Sequence, residues 1–74
     1  MFKKMTLKRQ IKKCKKQILV VEQKRTRSQA ALVTAILSNA APSDDDVDFF
    51  NRYTAEIEEI RSKMNDLEIQ LKNI

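Results

Sequence analysis

The chain is 74 residues long, carries a net charge of +5, and contains no histidine, no glycine, one cysteine and one proline. That inventory excludes an intrachain disulfide and leaves a tetrahedral zinc site without ligands, since Cys14 has neither a second cysteine nor an imidazole to join it. It also argues against β-hairpins, phosphate-cradling loops and dinucleotide-binding turns, which rely on glycine to reach positive φ without steric cost.

A chain this short buries a modest share of its surface and usually needs a disulfide, a metal or a partner to complete its fold. With the first two removed, association with itself or with another protein is the expected source of stability. The abundant Lys, Glu, Gln, Leu, Ile and Ala are good helix formers. The expected fold is all-α: one domain over residues 1–74, built as an antiparallel helical hairpin of two long helices. A partner would complete a four-helix bundle or coiled coil around it.

The first helix is expected over about residues 5–39. Leu7, Ile11, Cys14, Ile18 and Val21 keep a 4, 3, 4, 3 spacing, which aligns them on one stripe of a helix. The same register continues through Arg25 and Ser28 to Leu32 and Ala35, so the stripe is polar in its middle. Leu19, Val20, Ala31, Val33, Ile36 and Leu37 lie off it, and a two-helix hairpin covers only one stripe per helix.

The chain turns at residues 40–43. Pro42 cannot continue a helix and disfavours the helical conformation at Ala41. Ser43 then reads as an N-cap, with Asp44, Asp45 and Asp46 where negative charge opposes the positive end of the helix dipole. Asp44, Asp45, Asp46 and Asp48 lack the spacing and the glycine of a calcium loop, so a helix start is the expected role of this acidic run.

The second helix, about residues 44–73, carries the clearest pattern. Phe50, Tyr53, Ile57, Ile60, Met64, Leu67, Leu71 and Ile74 are spaced 3, 4, 3, 4, 3, 4, 3, an unbroken heptad series. Glu59 with Lys63 and Glu68 with Lys72 are acid-first pairs at i, i+4 that support a helix. Tyr53 and the two neighbouring phenylalanines form a hydrophobic plug beside the turn. A fold-back at Ala41 and Pro42 places residues whose numbers sum to 84–86 opposite each other. Ile18 then meets Leu67, Cys14 meets Leu71, and Arg25 falls near Glu58 and Glu59 for an inter-helix ion pair. The first seven or so residues project beyond the second helix.

Charge is uneven. Residues 1–27 hold eleven basic residues against Glu22 alone, a net +10, and the remainder is −5. Three readings follow. The lysines form the solvated face of helix 1; they meet an acidic protein surface, with affinity supplied by the apolar seam; or they neutralise phosphates. Lys8, Arg9, Lys12, Lys13, Lys15 and Lys16 are the candidate nucleic-acid contacts. Lysine outnumbers arginine there and no aromatic is interleaved, so such binding would be led by shape rather than by base identity. A basic amphipathic helix also suits a membrane surface, but the narrow stripe of Leu7, Ile11 and Cys14 lacks bulky inserting residues.

Without histidine, acid–base chemistry near neutral pH has no ready carrier. Cys14 sits among lysines that could activate a thiol, yet its place on the stripe makes it a core residue. The sequence therefore reads as a non-enzymatic protein–protein interaction module with no cofactor or small-molecule substrate: an adaptor, assembly factor or small chaperone. Its partner is another protein or itself, with a homodimer favoured. The candidate partner-binding residues are Leu7, Ile11, Ile18, Leu19, Val33, Ile36, Leu37, Ile57, Ile60, Met64, Leu67 and Leu71. The alternative is a nucleic-acid-binding regulator that presents a basic helix from a hairpin dimer. No apolar run approaches the roughly 20 residues of a membrane span and no signal-peptide core follows the basic start. The expected compartment is the cytoplasm, with which one unpaired thiol is compatible.

Overall fold

The structure, a computed structural model, describes residues 2–74. Two helices, α1 (Phe2–Leu37) and α2 (Asp44–Lys72), pack against each other as a hairpin measuring 57 × 15 × 14 Å. Both heptad stripes face inward. Leu7, Ile11, Cys14, Ile18 and Val21 of α1 and Ile57 and Leu67 of α2 are buried, and Phe50, Tyr53, Ile60, Met64 and Leu71 are half-buried beside them. Ile74, the last member of the series, lies beyond the end of α2 and is exposed.

The start of α2 follows from its cap. The Ser43 hydroxyl accepts a hydrogen bond from the Asp46 backbone N–H at 3.1 Å, and Asp44, Asp45 and Asp46 occupy the first turn while Lys72 sits in the last. The end of α1 falls two residues before the expected boundary. Asn39 adopts φ 58°. Its N–H donates to the Ile36 carbonyl at 3.1 Å, and the Ala40 N–H donates to the Ala35 carbonyl at 2.9 Å. These paired bonds are a Schellman ending, built on asparagine in the left-handed region in place of the more usual glycine. At its other end α1 starts at Phe2, three residues before the expected position.

Ending α1 at Leu37 and starting α2 at Asp44 moves the fold-back point toward the N-terminus, so facing residues sum to about 81–83 rather than 84–86. Three expectations change with it. Leu67 packs with Leu7, Ile11 and Cys14, whereas Ile18 packs with Val21 and Ile57. Leu7 is buried, so the exposed overhang stops short of it. The inter-helix ion pair joins Glu22 and Arg61 at 2.9 Å rather than engaging Arg25. It is the one ion pair among the described residues, so the pairs Glu59 with Lys63 and Glu68 with Lys72 remain open.

The polar middle of the α1 stripe thins the core without stranding a buried polar group. Ser28 donates to the Lys24 carbonyl at 3.3 Å, Arg25 is half-buried, and among the described residues no side-chain nitrogen or oxygen is buried without a partner. Ile57 is the most enclosed large side chain, 1% exposed, whereas Ile69 on the opposite face of α2 is half exposed. Truncating Ile57 removes buried atoms and opens a cavity, for which about 2–4 kcal/mol is the usual cost. Ile57→Ala is therefore expected to lower the midpoint of urea unfolding, followed by far-ultraviolet circular dichroism, while Ile69→Ala shifts it little. Equal shifts for the two variants would show that the seam is misplaced.

Candidate interaction surface

The expected partner-binding residues divide into two groups in the structure. Leu7, Ile11, Ile18, Ile57 and Leu67 are buried between α1 and α2, and Ile60, Met64 and Leu71 pack half-buried against them. Their apolar area is already used inside the hairpin. Leu19, Val33, Ile36 and Leu37 remain outside it, between 45% and 80% exposed.

The exposed group is ordered. Leu19, Gln23, Thr26, Ala30, Val33 and Leu37 follow a 4, 3, 4, 3, 4 spacing, and all six are exposed. They form a second heptad stripe on α1, turned away from the seam. Traced toward the N-terminus, the stripe runs through Lys16, Lys12, Arg9, Met5 and Phe2, which are also exposed, and it contains no carboxylate. The spacing is visible in the sequence, but the stronger inner stripe and the interposed Gln23 and Thr26 hide it. The Thr26 hydroxyl is satisfied within its own helix, donating to the Glu22 carbonyl at 2.9 Å, so covering it would strand no donor.

More apolar surface surrounds the loop. Ile36 is 62% exposed, and Val47 and Phe49 at the start of α2 are exposed as well. Phe49 stacks on Tyr53 with ring centroids 6.4 Å apart and planes 17° apart, while Phe50 turns inward. The aromatic plug expected at this end is thus half formed: Phe50 and Tyr53 are half-buried and Phe49 lies open. The chain as a whole exposes 6033 Å², about 1,300 Å² more than the roughly 4,700 Å² that surface-to-mass scaling gives for a compact chain of 8.6 kDa.

Charge separates along the length of the hairpin. The open end carries Lys3, Lys4, Lys8, Arg9, Lys12, Lys13, Lys15 and Lys16, all exposed, with no carboxylate on α1 before Glu22. The loop end carries Asp44, Asp45, Asp46 and Asp48. Taking residues 1–20 with 61–74 gives +9 at the open end, and residues 31–50 give −4 at the loop end. The open-end cations are spread around the outer half of α1 rather than gathered on one line. Two open grooves lie between the helices. One is lined by Lys13, Lys16, Gln17, Val20, Lys24, Glu56 and Glu59, and the other by Lys8, Lys12, Lys15 and Glu68.

Among the described residues no helix is long and apolar enough to cross a membrane. Nor does any group of three His, Cys, Asp or Glu side chains among them converge as metal ligands would. Comparison with protein-family models, with curated proteins and with solved structures finds no match to this chain.

Cys14 is 2% exposed, inside the cluster with Leu7, Ile11 and Leu67. Its thiol is reachable only when the open end of the hairpin separates. Modification by an aromatic disulfide reagent is expected to be on the order of a hundredfold slower in native buffer than in urea, the factor for a local opening of about 3 kcal/mol. Equal rates would mean that this end of the hairpin does not hold together.

Proposed function

We propose that this chain is a non-enzymatic helical interaction module, an adaptor, assembly factor or small chaperone that docks an amphipathic helix. The observation that carries the reading is the second heptad stripe on α1: six exposed positions at coiled-coil spacing, apolar at Leu19, Ala30, Val33 and Leu37, on a hairpin whose own seam is already filled. Helices that present such a stripe bury it against a second helix through knobs-into-holes packing. The partner helix would gain apolar contacts along the stripe and electrostatic guidance from the cations beyond it.

The test removes the stripe without touching the seam. Leu19→Glu/Val33→Glu alters two exposed side chains, so its helicity should match that of the unaltered chain. Purified from its native host, the unaltered chain is expected to travel in a stoichiometric complex, with itself or with another protein, while the double variant runs at its 8.6 kDa monomer mass. An unaltered chain that runs as a monomer both in the host extract and when pure would refute the interaction reading.

A second reading rests on the eight exposed cations within residues 3–16, which no α1 carboxylate offsets. A lysine-rich helix of this kind suits a polyanion such as nucleic acid, held through phosphate contacts. Binding of a labelled 20-nucleotide RNA or duplex DNA, read by fluorescence anisotropy, should then weaken at least tenfold between 50 and 200 mM salt, as counterion release by several phosphate contacts requires (roughly 10³-fold for six or more). It should vanish when Lys12, Lys13, Lys15 and Lys16 become glutamine. No anisotropy change at the lower salt removes this reading.

A further inference from the structure

We infer that the partner for the outer stripe of α1 is a second copy of this chain, lying antiparallel to the first. The inference rests on the interaction reading above and names the occupant of that surface. Three observations carry it.

The first is the layer pattern. In an antiparallel helix pair the two stripe columns of one helix face the opposite columns of the other, so facing residue numbers have a constant sum. With that sum at 56, Leu19 meets Leu37 of the second copy, Gln23 meets Val33, Thr26 meets Ala30, and the two-fold axis passes level with residue 28. Leucine closes both ends of the contact, and the small side chains of Thr26 and Ala30 at its centre let the helices approach closely. The Thr26 hydroxyl is bonded to its own helix and enters the contact without an unpaired donor.

The second observation is charge. Side by side in the same direction, two copies would bring two +9 open ends together. In the antiparallel arrangement the two open ends lie apart, and the loop end of each copy reaches only the edge of the other's basic half, with Asp44 level with residues 17–19 of the second copy. Lys16 then lies level with residue 40 of the second copy, within a turn of its Asp44, with Lys12 one turn further out. The symmetry makes this juxtaposition twice. An unrelated partner would have to carry an apolar stripe and an acidic end in the matching order, and this chain carries both itself.

The third is area. A standard specific interface removes about 800 Å² from each partner, and the hairpin exposes about 1,300 Å² beyond a compact chain of its mass. The excess belongs to the whole elongated hairpin, and it is larger than one standard contact removes from each partner.

The test reads mass and direction. By light scattering the purified chain is expected at twice 8.6 kDa, and Leu37→Glu, which alters a side chain 80% exposed, at the monomer mass with its helicity retained. For direction, a spin label is attached at Gln17→Cys in a Cys14→Ala background. The antiparallel dimer separates the labelled backbone sites by about 33 Å along the axis, from 1.5 Å of rise per residue on either side of residue 28; a parallel dimer would bring them within about 15 Å, one to two helix diameters. A monomeric unaltered chain, a dimer with the short distance, or a dimer unaffected by Leu37→Glu each overturns the inference. A monomer that still binds another protein through Leu19 and Val33 overturns the second copy alone and leaves the interaction reading standing. A monomer with no partner at that surface removes both.

Discussion

The apolar seam between α1 and α2 is the interaction on which the rest of the molecule depends. No disulfide supports it, and the one ion pair across it, Glu22 with Arg61, has side chains 34% and 57% exposed. A pair that open to water contributes at most about 1 kcal/mol. The two helices depend on the seam to different degrees. α2 has a serine cap, three carboxylates in its first turn and a lysine in its last, each of which favours the helix on its own account. α1 has no acidic residue in its first turn and no basic residue in its last, and its opening turn carries Lys3 and Lys4 against the helix dipole. Its 36 residues are held by contact with α2 and by the Schellman ending at Asn39.

That contact is uneven along the hairpin. The fully buried side chains belong to residues 7–21 of α1 and to Ile57 and Leu67 of α2. From Arg25 to the loop and back to Tyr53 no side chain reaches full burial, because Arg25 and Ser28 occupy stripe positions and Leu32 and Ala35 are only half covered. The exposed Val33, Ile36, Leu37, Val47 and Phe49 concentrate in this same half. The segment with the thinnest internal core therefore has the most to gain from an external one. In this half of the hairpin, local stability and the proposed partner binding would draw on the same side chains, so a partner covering Val33 and Leu37 would also firm the loop end.

Much of this was legible in the residues, and what escaped has identifiable causes. The inner stripes of both helices and the cap at Ser43 followed from spacing and from the chemistry of a helix start. The end of α1 did not, because asparagine in the left-handed region is a weaker signal than glycine and Pro42 drew the fold-back point toward itself. A shift of three residue numbers in the sum of facing positions then moved the ion pair from Arg25 to Glu22 and brought Leu7 under cover. The division of the candidate partner-binding residues was illegible for a deeper reason. A heptad stripe states that a helix will lie against it, but not whether that helix belongs to the same chain. Leu7, Ile11, Ile18, Ile57 and Leu67 met their partners within the hairpin, and only the folded arrangement separates them from Leu19, Val33 and Leu37.

The separation of charge along the hairpin links the two uses proposed for its surface. Of the lysines that would contact phosphates, Lys15 and Lys16 are the ones that the proposed antiparallel arrangement sets nearest the acidic loop of a second copy. Both contacts are electrostatic in part and both weaken as salt rises, so salt dependence by itself does not tell them apart. Occupancy does. A polyanion reaching Lys16 would displace the acidic loop there, so the two proposed modes would compete at that residue, whereas Lys3, Lys4 and Lys8 lie beyond the overlap and would remain open to a polyanion in the dimer. The apolar stripe has no such ambiguity, since Leu19, Val33 and Leu37 offer a phosphate backbone nothing. In the proposed complex, affinity for a helix would thus reside in the stripe, and the lysines would act chiefly on the direction in which that helix lies.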